Sequence, residues 1–86
     1  MTVITSDEVF AVVRDAVVTV MEVEPGTVTR DSRLVEDLRC DSIALVEIAD
    51  IVEERLPLTI EDAALDDIRT VGEAVDYALS RLVVVP

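Results

Sequence analysis

The sequence predicts an all-α protein, a small four-helix bundle of three longer helices and one short helix, with a long loop between helices 1 and 2. Apolar residues recur at steps of three and four in three segments, and proline and glycine interrupt this period. Apolar residues make up 51% of the chain, yet the only aromatic residues are Phe10 and Tyr77. We therefore expect one aliphatic core, in a single domain over residues 1–86.

The first helix is predicted over residues 6–21. Its many valines favour a strand, but its polar residues return with helical spacing and its apolar residues form a helical stripe. The stripe consists of Phe10, Val13, Val17 and Val20. Thr5, followed three residues later by Glu8, matches a capping box, in which two side chains satisfy free backbone amides at a helix start.

The segment after this helix predicts a long loop. Pro25 and Gly26 break the helical period, and Leu34 and Leu38 are placed to anchor the loop to the core. A connection of this length is unusual in so small a domain. We therefore expect the loop to have a role beyond joining two helices.

The second helix is predicted over residues 42–55, with Asp41 as its N-cap and Pro57 beyond its end. A turn of 100° per residue divides it into two faces. The face predicted to be buried consists of Leu45, Ile48, Ala49, Val52 and Leu56. The opposite, exposed face carries Glu47, Asp50 and Glu54, with Ile43 and Val46 beside them.

The third and fourth helices are predicted over residues 61–67 and 71–82. Residues 61–67 fit either a short helix or a loop. Thr70 and Glu73 form a second capping-box pattern, and a regular apolar stripe follows it. That stripe consists of Val71, Val75, Ala78, Leu79 and Leu82. Residues 83–86 are predicted to fray.

The net charge of −12 predicts repulsion from nucleic acids and anionic membranes, so partners should present basic surfaces, and we expect a monomer. One cysteine, Cys40, excludes an internal disulfide framework and a thiolate zinc cluster, and fits a reducing cytoplasm. The N-terminal residues lack a leader pattern, and no apolar stretch approaches the roughly 20 residues that a membrane span needs. We therefore expect no membrane association.

Ser42 lacks a base for nucleophilic catalysis, because the chain contains neither histidine nor lysine. We expect no catalytic residues, and no metal site, since the acidic clusters lack the pattern of a calcium loop. A serine at the first helical position lies beside unpaired backbone amides, where a phosphodiester is tolerated. Two interpretations stay open: Asp41 and Ser42 only cap the helix, or a partner enzyme docks on the neighbouring face and modifies Ser42.

The segments "EDLRCDSIALVEIADIVEERL" and "RTVGEAVDY" resemble acyl carrier proteins and their phosphopantetheine-attachment domains, in which an Asp-Ser-Leu triplet opens the second helix. The resemblance covers nearly the whole chain. It implies that Ser42 carries 4'-phosphopantetheine, transferred from coenzyme A by a phosphopantetheinyl transferase that supplies Mg²⁺ and the base. It also implies acyl-transferring, condensing or adenylating enzymes as partners, with basic docking patches. The implied recognition residues are Ile43, Val46, Glu47, Asp50 and Glu54.

Three positions depart from the family's usual pattern. Ile43 replaces a leucine after the serine, Arg39 stands where glycine is common, and Ala44 stands where fatty-acid-synthesis carriers have an acid. Arg39 is therefore included among the recognition residues, and Ala44 makes the docking surface less negative. The departures at Arg39 and Ala44 favour a discrete carrier of bacterial natural-product biosynthesis, such as polyketide synthesis. Cys40 is interpreted as a small filler of the loop.

Alternatives remain open at this point. A peptidyl or aminoacyl carrier would work with an adenylating enzyme, and a non-catalytic acidic module for protein interaction or cation binding would never receive the arm. In the family the acyl chain is sheltered between helices. By that resemblance, the small residues that would part to admit it here are Val13, Ala49, Val52 and Ala78.

Overall fold

The structure is a computed structural model that describes residues 4–82, and it confirms an all-helical bundle. Its α-helices are α1 (Ser6–Met21), α2 (Ser42–Arg55), α3 (Asp62–Leu65) and α4 (Val71–Arg81), and a single 3-10 turn spans Pro25–Thr27. Helix α1 packs against both α2 and α4. The predicted fraying of residues 83–86 lies outside the described residues.

Helix α1 begins where the sequence predicted, but only half of the first capping box forms. The Thr5 hydroxyl oxygen accepts the Glu8 amide at 3.2 Å, whereas the Glu8 carboxylate accepts the Thr5 hydroxyl instead of its backbone amide. The buried face is centred slightly away from the predicted stripe, because α1 lies between two helices. It consists of Val9, Val13, Ala16 and Val17, while Phe10 and Val20 are only half-buried.

Helix α2 also presents a slightly different face to the core. Ala44, Ile48 and Val52 follow one another at steps of four and are all buried, whereas Leu45 is half-buried at the edge. Our interpretation of Ala44 as part of the docking surface is therefore wrong, because its methyl group packs in the core. Ala49 and Leu56 are buried as expected.

The long loop is ordered by hydrogen bonds to the start of α4. The Leu34 amide donates to Arg69 O at 2.9 Å, and the Gly72 amide donates to Arg30 O at 2.8 Å. A Cβ atom at residue 72 would lie 3.0 Å from that same oxygen, so glycine permits this close approach. The predicted anchors Leu34 and Leu38 are buried, so the loop forms one wall of the core.

The last two helices are shorter than predicted. Helix α3 spans Asp62–Leu65 instead of 61–67, because its chain continues as a turn in which the Asp67 amide donates to Ala64 O. Acidic side chains at both ends of this short segment repel one another and disfavour a longer helix. Helix α4 ends at Arg81 because Leu82 is extended, and its predicted capping box between Thr70 and Glu73 is complete.

Candidate functional site

Ser42 lies at the first position of α2, with its side chain exposed to solvent. Asp41 caps the helix: its carboxylate accepts the Ala44 amide at 2.8 Å, and its carbonyl oxygen accepts the Leu45 amide at 3.0 Å. The Ser42 hydroxyl forms no hydrogen bond with another residue of the described chain. Asp41 therefore does the capping, and the Ser42 hydroxyl stays free.

Ser42 lies at the start of a helix and has neither a histidine nor a lysine beside it. The first amides of α2 have no partner within the helix and carry the positive end of its dipole. The carboxylate beside Ser42 is occupied by the Ala44 amide, and the chain contains no histidine or lysine that could act as a base. No imidazole or lysine amine is therefore available in this chain to activate the Ser42 hydroxyl.

The outer face of α2 carries the exposed residues that the sequence predicted there. Ile43 is 70% exposed and Val46 40% exposed, although both are large apolar residues. Glu47, Asp50 and Glu54 are exposed beside them and form no ion pair with another described residue. The structure thus brings apolar contact surface and uncompensated negative charge together next to Ser42.

Val35 extends this apolar surface and was missed from the sequence. It is 54% exposed on the loop that precedes α2, and its carbonyl oxygen accepts the Arg39 amide at 3.1 Å. With Ile43 and Val46 it completes the set of exposed large apolar residues in the described chain. Residues 34–38 form hydrogen-bonded turns and no regular helix or strand, so no periodicity in the sequence indicated that Val35 is exposed while Leu34 is buried.

Arg39 occupies a left-handed conformation with φ of 63°. Glycine adopts this conformation without steric cost, whereas the Cβ atom of any other residue makes it unfavourable. Its side chain is exposed, three residues before Ser42. The structure therefore places Arg39 on the surface near the candidate site, with a conformation that a side chain disfavours.

Cys40 lies in the interior. The residue is 3% exposed, and burial, followed by the negative charge of Asp41, raises the pKa of its thiol. A neutral, inaccessible thiol is a poor nucleophile. Cys40 therefore acts as an apolar filler of the loop, as the sequence indicated.

An apolar cavity of about 40 Å³ lies between α1, α2 and α4, and the four predicted sheltering residues all line it: Val13, Ala49, Val52 and Ala78. Leu45 and Leu65 separate it from a surface depression of about 190 Å³, which Ser42 also lines. A space of 40 Å³ is far smaller than the roughly 150 Å³ cavity that accepts benzene in another protein. A longer chain could enter only if the helices moved apart.

The described residues show neither a metal-binding cluster nor a transmembrane helix. No group of three or more potential metal-ligating side chains occurs among residues 4–82. No helix in the same part of the chain has the length and apolar character to cross a membrane.

Comparison with known proteins gives a consistent result. Residues 11–78 match the family model described as the phosphopantetheine attachment site. An acyl carrier protein from Petrotoga mobilis is 36% identical over 78 residues, which cover 91% of this chain and 92% of that protein. A meromycolate extension acyl carrier protein from Mycobacterium leprae is 35% identical over 86% of this chain, which spans 64% of that longer protein.

Two solved structures share the fold. A free-standing peptidyl carrier protein from a secondary metabolic pathway of Acinetobacter baumannii superimposes with a TM-score of 0.75 at 27% identity, covering 87% of this chain and 92% of that one. An acyl carrier protein of high thermal stability from Enterococcus faecalis gives a TM-score of 0.73 at 32% identity, covering 90% and 98%.

Proposed function

Because the chain belongs to the acyl carrier protein family, whose attached group is 4'-phosphopantetheine, we propose that Ser42 is its attachment residue and that it carries acyl groups between enzymes. One observation carries this proposal. The free, exposed Ser42 hydroxyl stands at the start of α2, beside an apolar and acidic face whose charges are unpaired. When bound, the arm supplies a thiol that holds acyl groups as thioesters.

Modification requires a separate transferase. The Ser42 oxygen attacks the phosphorus atom of coenzyme A nearest to the pantetheine, its proton passes to a base of the transferase, and 3',5'-ADP leaves. This chain contributes position and electrostatics. The start of α2 carries the positive end of the helix dipole, which favours the new negative charge, and Asp41 caps this helix start. We propose no catalytic residue in the carrier itself.

The exposed face of α2 is proposed to recognise partner enzymes with basic docking patches. Ile43, Val46 and Val35 provide apolar contact, and Glu47, Asp50 and Glu54 attract positive charge. Because these acids are exposed, salt screens their attraction, so association rates should fall as ionic strength rises. The proposed partners are a phosphopantetheinyl transferase and acyl-transferring or condensing enzymes. We also propose a cytoplasmic monomer that avoids nucleic acids and membranes, as its net charge of −12 favours.

The acyl chain is proposed to enter the apolar cavity. Its lining is aliphatic apart from the Tyr77 ring, and Leu45 and Leu65 form the wall on the Ser42 side. On loading a medium-length chain, amide NMR signals of the cavity residues should shift. Unchanged signals of Ala49 and Ala78 would contradict this proposal. Ala49→Leu fills the cavity and should abolish those shifts while leaving the modification of Ser42 intact.

The pathway proposed is bacterial natural-product biosynthesis, such as polyketide synthesis. Of the two sequence departures that favoured it, only Arg39 lies on the surface, because Ala44 is buried. The structural likeness to a free-standing peptidyl carrier protein supports a second candidate, a peptidyl or aminoacyl carrier. Loading tests separate the two: an adenylating enzyme should charge an aminoacyl carrier, whereas an acyltransferase should charge an acyl carrier.

The experiment that tests the attachment site is intact-mass measurement. The protein is incubated with coenzyme A, Mg²⁺ and a broad-specificity phosphopantetheinyl transferase. We expect the parent protein to gain one phosphopantetheine and Ser42→Ala to gain none. Ser80→Ala is the matched control, because Ser80 is exposed but lies at the end of α4. A gain by Ser42→Ala, or a folded parent that gains nothing with several transferases, would refute the proposal and favour an acidic interaction module.

A further inference from the structure

Two arginines near Ser42 form no ion pair within residues 4–82, although the chain contains nineteen acidic residues. Five of the seven arginines form ion pairs with carboxylates at 2.9 to 3.5 Å. These paired residues are Arg14, Arg30, Arg33, Arg55 and Arg81. Arg39 and Arg69 form no ion pair with any other described residue. Among the described residues, these are the two arginines whose charge is not paired with a carboxylate.

The backbone brings these two arginines to the same part of the loop. Arg69 O accepts the Leu34 amide at 2.9 Å, and Leu34 O accepts the Cys40 amide at 2.9 Å. The Arg39 amide donates to Val35 O at 3.1 Å. Arg39 and Arg69 therefore flank the same two loop residues, immediately before the start of α2.

Arg69 also lines a surface depression that adjoins the one at Ser42. The depression at Arg69 has a volume of about 220 Å³ and the one at Ser42 about 190 Å³. Both are bordered by Leu45, Leu65 and Asp66. A group attached to Ser42 would therefore lie beside the depression that Arg69 lines, and Arg39 is three residues away along the chain.

The conformation of Arg39 adds an independent observation. A side chain at φ of 63° is sterically disfavoured relative to one on a backbone of negative φ. Such strain is common at functional positions, where another interaction compensates for it. A phosphodiester on Ser42 would stand beside the Asp41 carboxylate, and a nearby cation would offset that repulsion.

We propose that Arg39 and Arg69 form an anion site that holds the phosphodiester of the arm once it is attached to Ser42. The inference rests on the proposed attachment at Ser42. The ligand is the tethered phosphate group and not a free phosphate, because the net charge of −12 repels free anions, and Glu36 and Asp66 also line the depression at Arg69. Covalent attachment gives a high effective concentration that overcomes this repulsion.

The test compares arginine side-chain NMR signals before and after modification, with the mass gain confirmed first. Exposed ion pairs contribute about 0.2–1 kcal/mol, so exchange of the Arg39 Nε proton should slow by up to about fivefold in the modified protein. The Arg69 signal should shift as well. The Arg30 signal is the internal control, since Arg30 is already paired with Asp76 at 2.9 Å.

Phosphorus NMR supplies a second measurement. In the modified parent protein the phosphodiester signal should move as salt is raised, because salt screens the ion pair. In modified Arg39→Gly this salt response should be largely lost, and in the double variant Arg39→Gly/Arg69→Gln it should be absent. Misfolding does not confuse the result, because glycine suits φ of 63°. Arg30→Gln is the matched control for a lost positive charge and should keep the response.

The outcomes are distinguishable. Absence of a mass gain would refute the attachment proposal and leave no phosphodiester for the arginines to hold. A mass gain would overturn the anion site alone if Arg39 exchange were the same before and after modification and if the salt response were the same in the parent and the variants. The attachment proposal would then remain intact. Slowed Arg39 exchange in the unmodified protein on adding coenzyme A or inorganic phosphate would also overturn the anion site, because the site would then serve free phosphate.

Discussion

Replacement of the two residues with positive φ by glycine tests how the loop and α1 are stabilised. Arg39 has φ of 63° and Glu22, the residue after α1, has φ of 54°. Both keep backbone hydrogen bonds that glycine retains, from Arg39 to Val35 O at 3.1 Å and from Glu22 to Val18 O at 2.9 Å. Glycine therefore removes the steric cost at each position without removing these hydrogen bonds.

The expected gain is the difference of two terms. Relief of the left-handed conformation is worth about 1–2 kcal/mol, and the greater freedom of glycine in the unfolded chain costs roughly 0.5–1 kcal/mol. Arg39→Gly should therefore raise the free energy of unfolding by up to about 1.5 kcal/mol, with a midpoint of ~0.75 kcal/mol. Glu22→Gly should raise it by about 1–2 kcal/mol, because it also removes a carboxylate from the negative end of the α1 dipole.

Thermal and denaturant unfolding of the unmodified protein measure these effects. A gain of 1 kcal/mol corresponds to about 4–8 °C in Tm for a domain of this size. Glu24→Gly is the matched control, because Glu24 has φ of −70°, and it should lower stability by about 0.5–1 kcal/mol. A Tm of Arg39→Gly at or below that of the parent would refute the reasoning, since it would mean that side-chain contacts of Arg39 outweigh the backbone term.

The remaining predictions concern charge, the thiol and a helix cap. Hydrogen bonds from the Arg33 backbone and side chain lower the pKa of Asp37, so its stabilising contribution is present above its ordinary pKa and is lost as pH falls through the lowered value. In urea unfolding from pH 5 down to about pH 2, the free energy of unfolding should therefore fall less steeply with pH for Asp37→Asn than for the parent. Equal slopes of unfolding free energy against pH for the two proteins would contradict this. Burial raises the pKa of the Cys40 thiol, so Cys40 should react with thiol reagents only when the protein unfolds. The thiol of the attached arm should react at once. Rapid labelling of the native, unmodified protein would contradict this, because it would show that Cys40 is accessible. Glu47→Lys should slow the modification of Ser42 at low salt and have little effect on its rate at high salt. The control variant Glu8→Lys, on α1, should leave the rate unchanged at both salt concentrations. Equal rates for the two variants at low salt would argue against docking on α2. Thr70→Ala should lower the free energy of unfolding by about 1 kcal/mol, because it breaks the capping box of α4. A decrease of less than roughly 0.3 kcal/mol would mean that packing alone stabilises α4.

Local chemistry explains why the helix starts were predictable. The residues that cap α1, α2 and α4 are Thr5, Asp41 and Thr70, and each bonds to an amide within its own first turn. Such contacts join residues three apart, so the sequence alone contains the information. The exposed acidic face of α2 follows in the same way from helical periodicity.

Other features depended on contacts between distant residues. The burial of Ala44 instead of Leu45, the exposure of Val35 and the cavity between three helices all follow from how α1, α2 and α4 pack. Periodicity sets the angles between side chains on one helix, but not which sector faces a neighbouring helix.

The sequence by itself thus determined the helices, the aliphatic core, the acidic face and the position of Ser42 at a helix start. The tertiary structure decided which side chains border the cavity, which carboxylates neutralise five of the seven arginines, and that Arg39 and Arg69 are left near Ser42. The pair between Arg30 and Asp76 spans 46 residues, and such a contact forms only after the loop has docked on α4. The physical reason is that helix caps and helix faces depend on residues within one or two turns of each other, which the sequence shows directly. Packing contacts join segments that are far apart in the sequence, and no periodic pattern in the sequence specifies which of them meet.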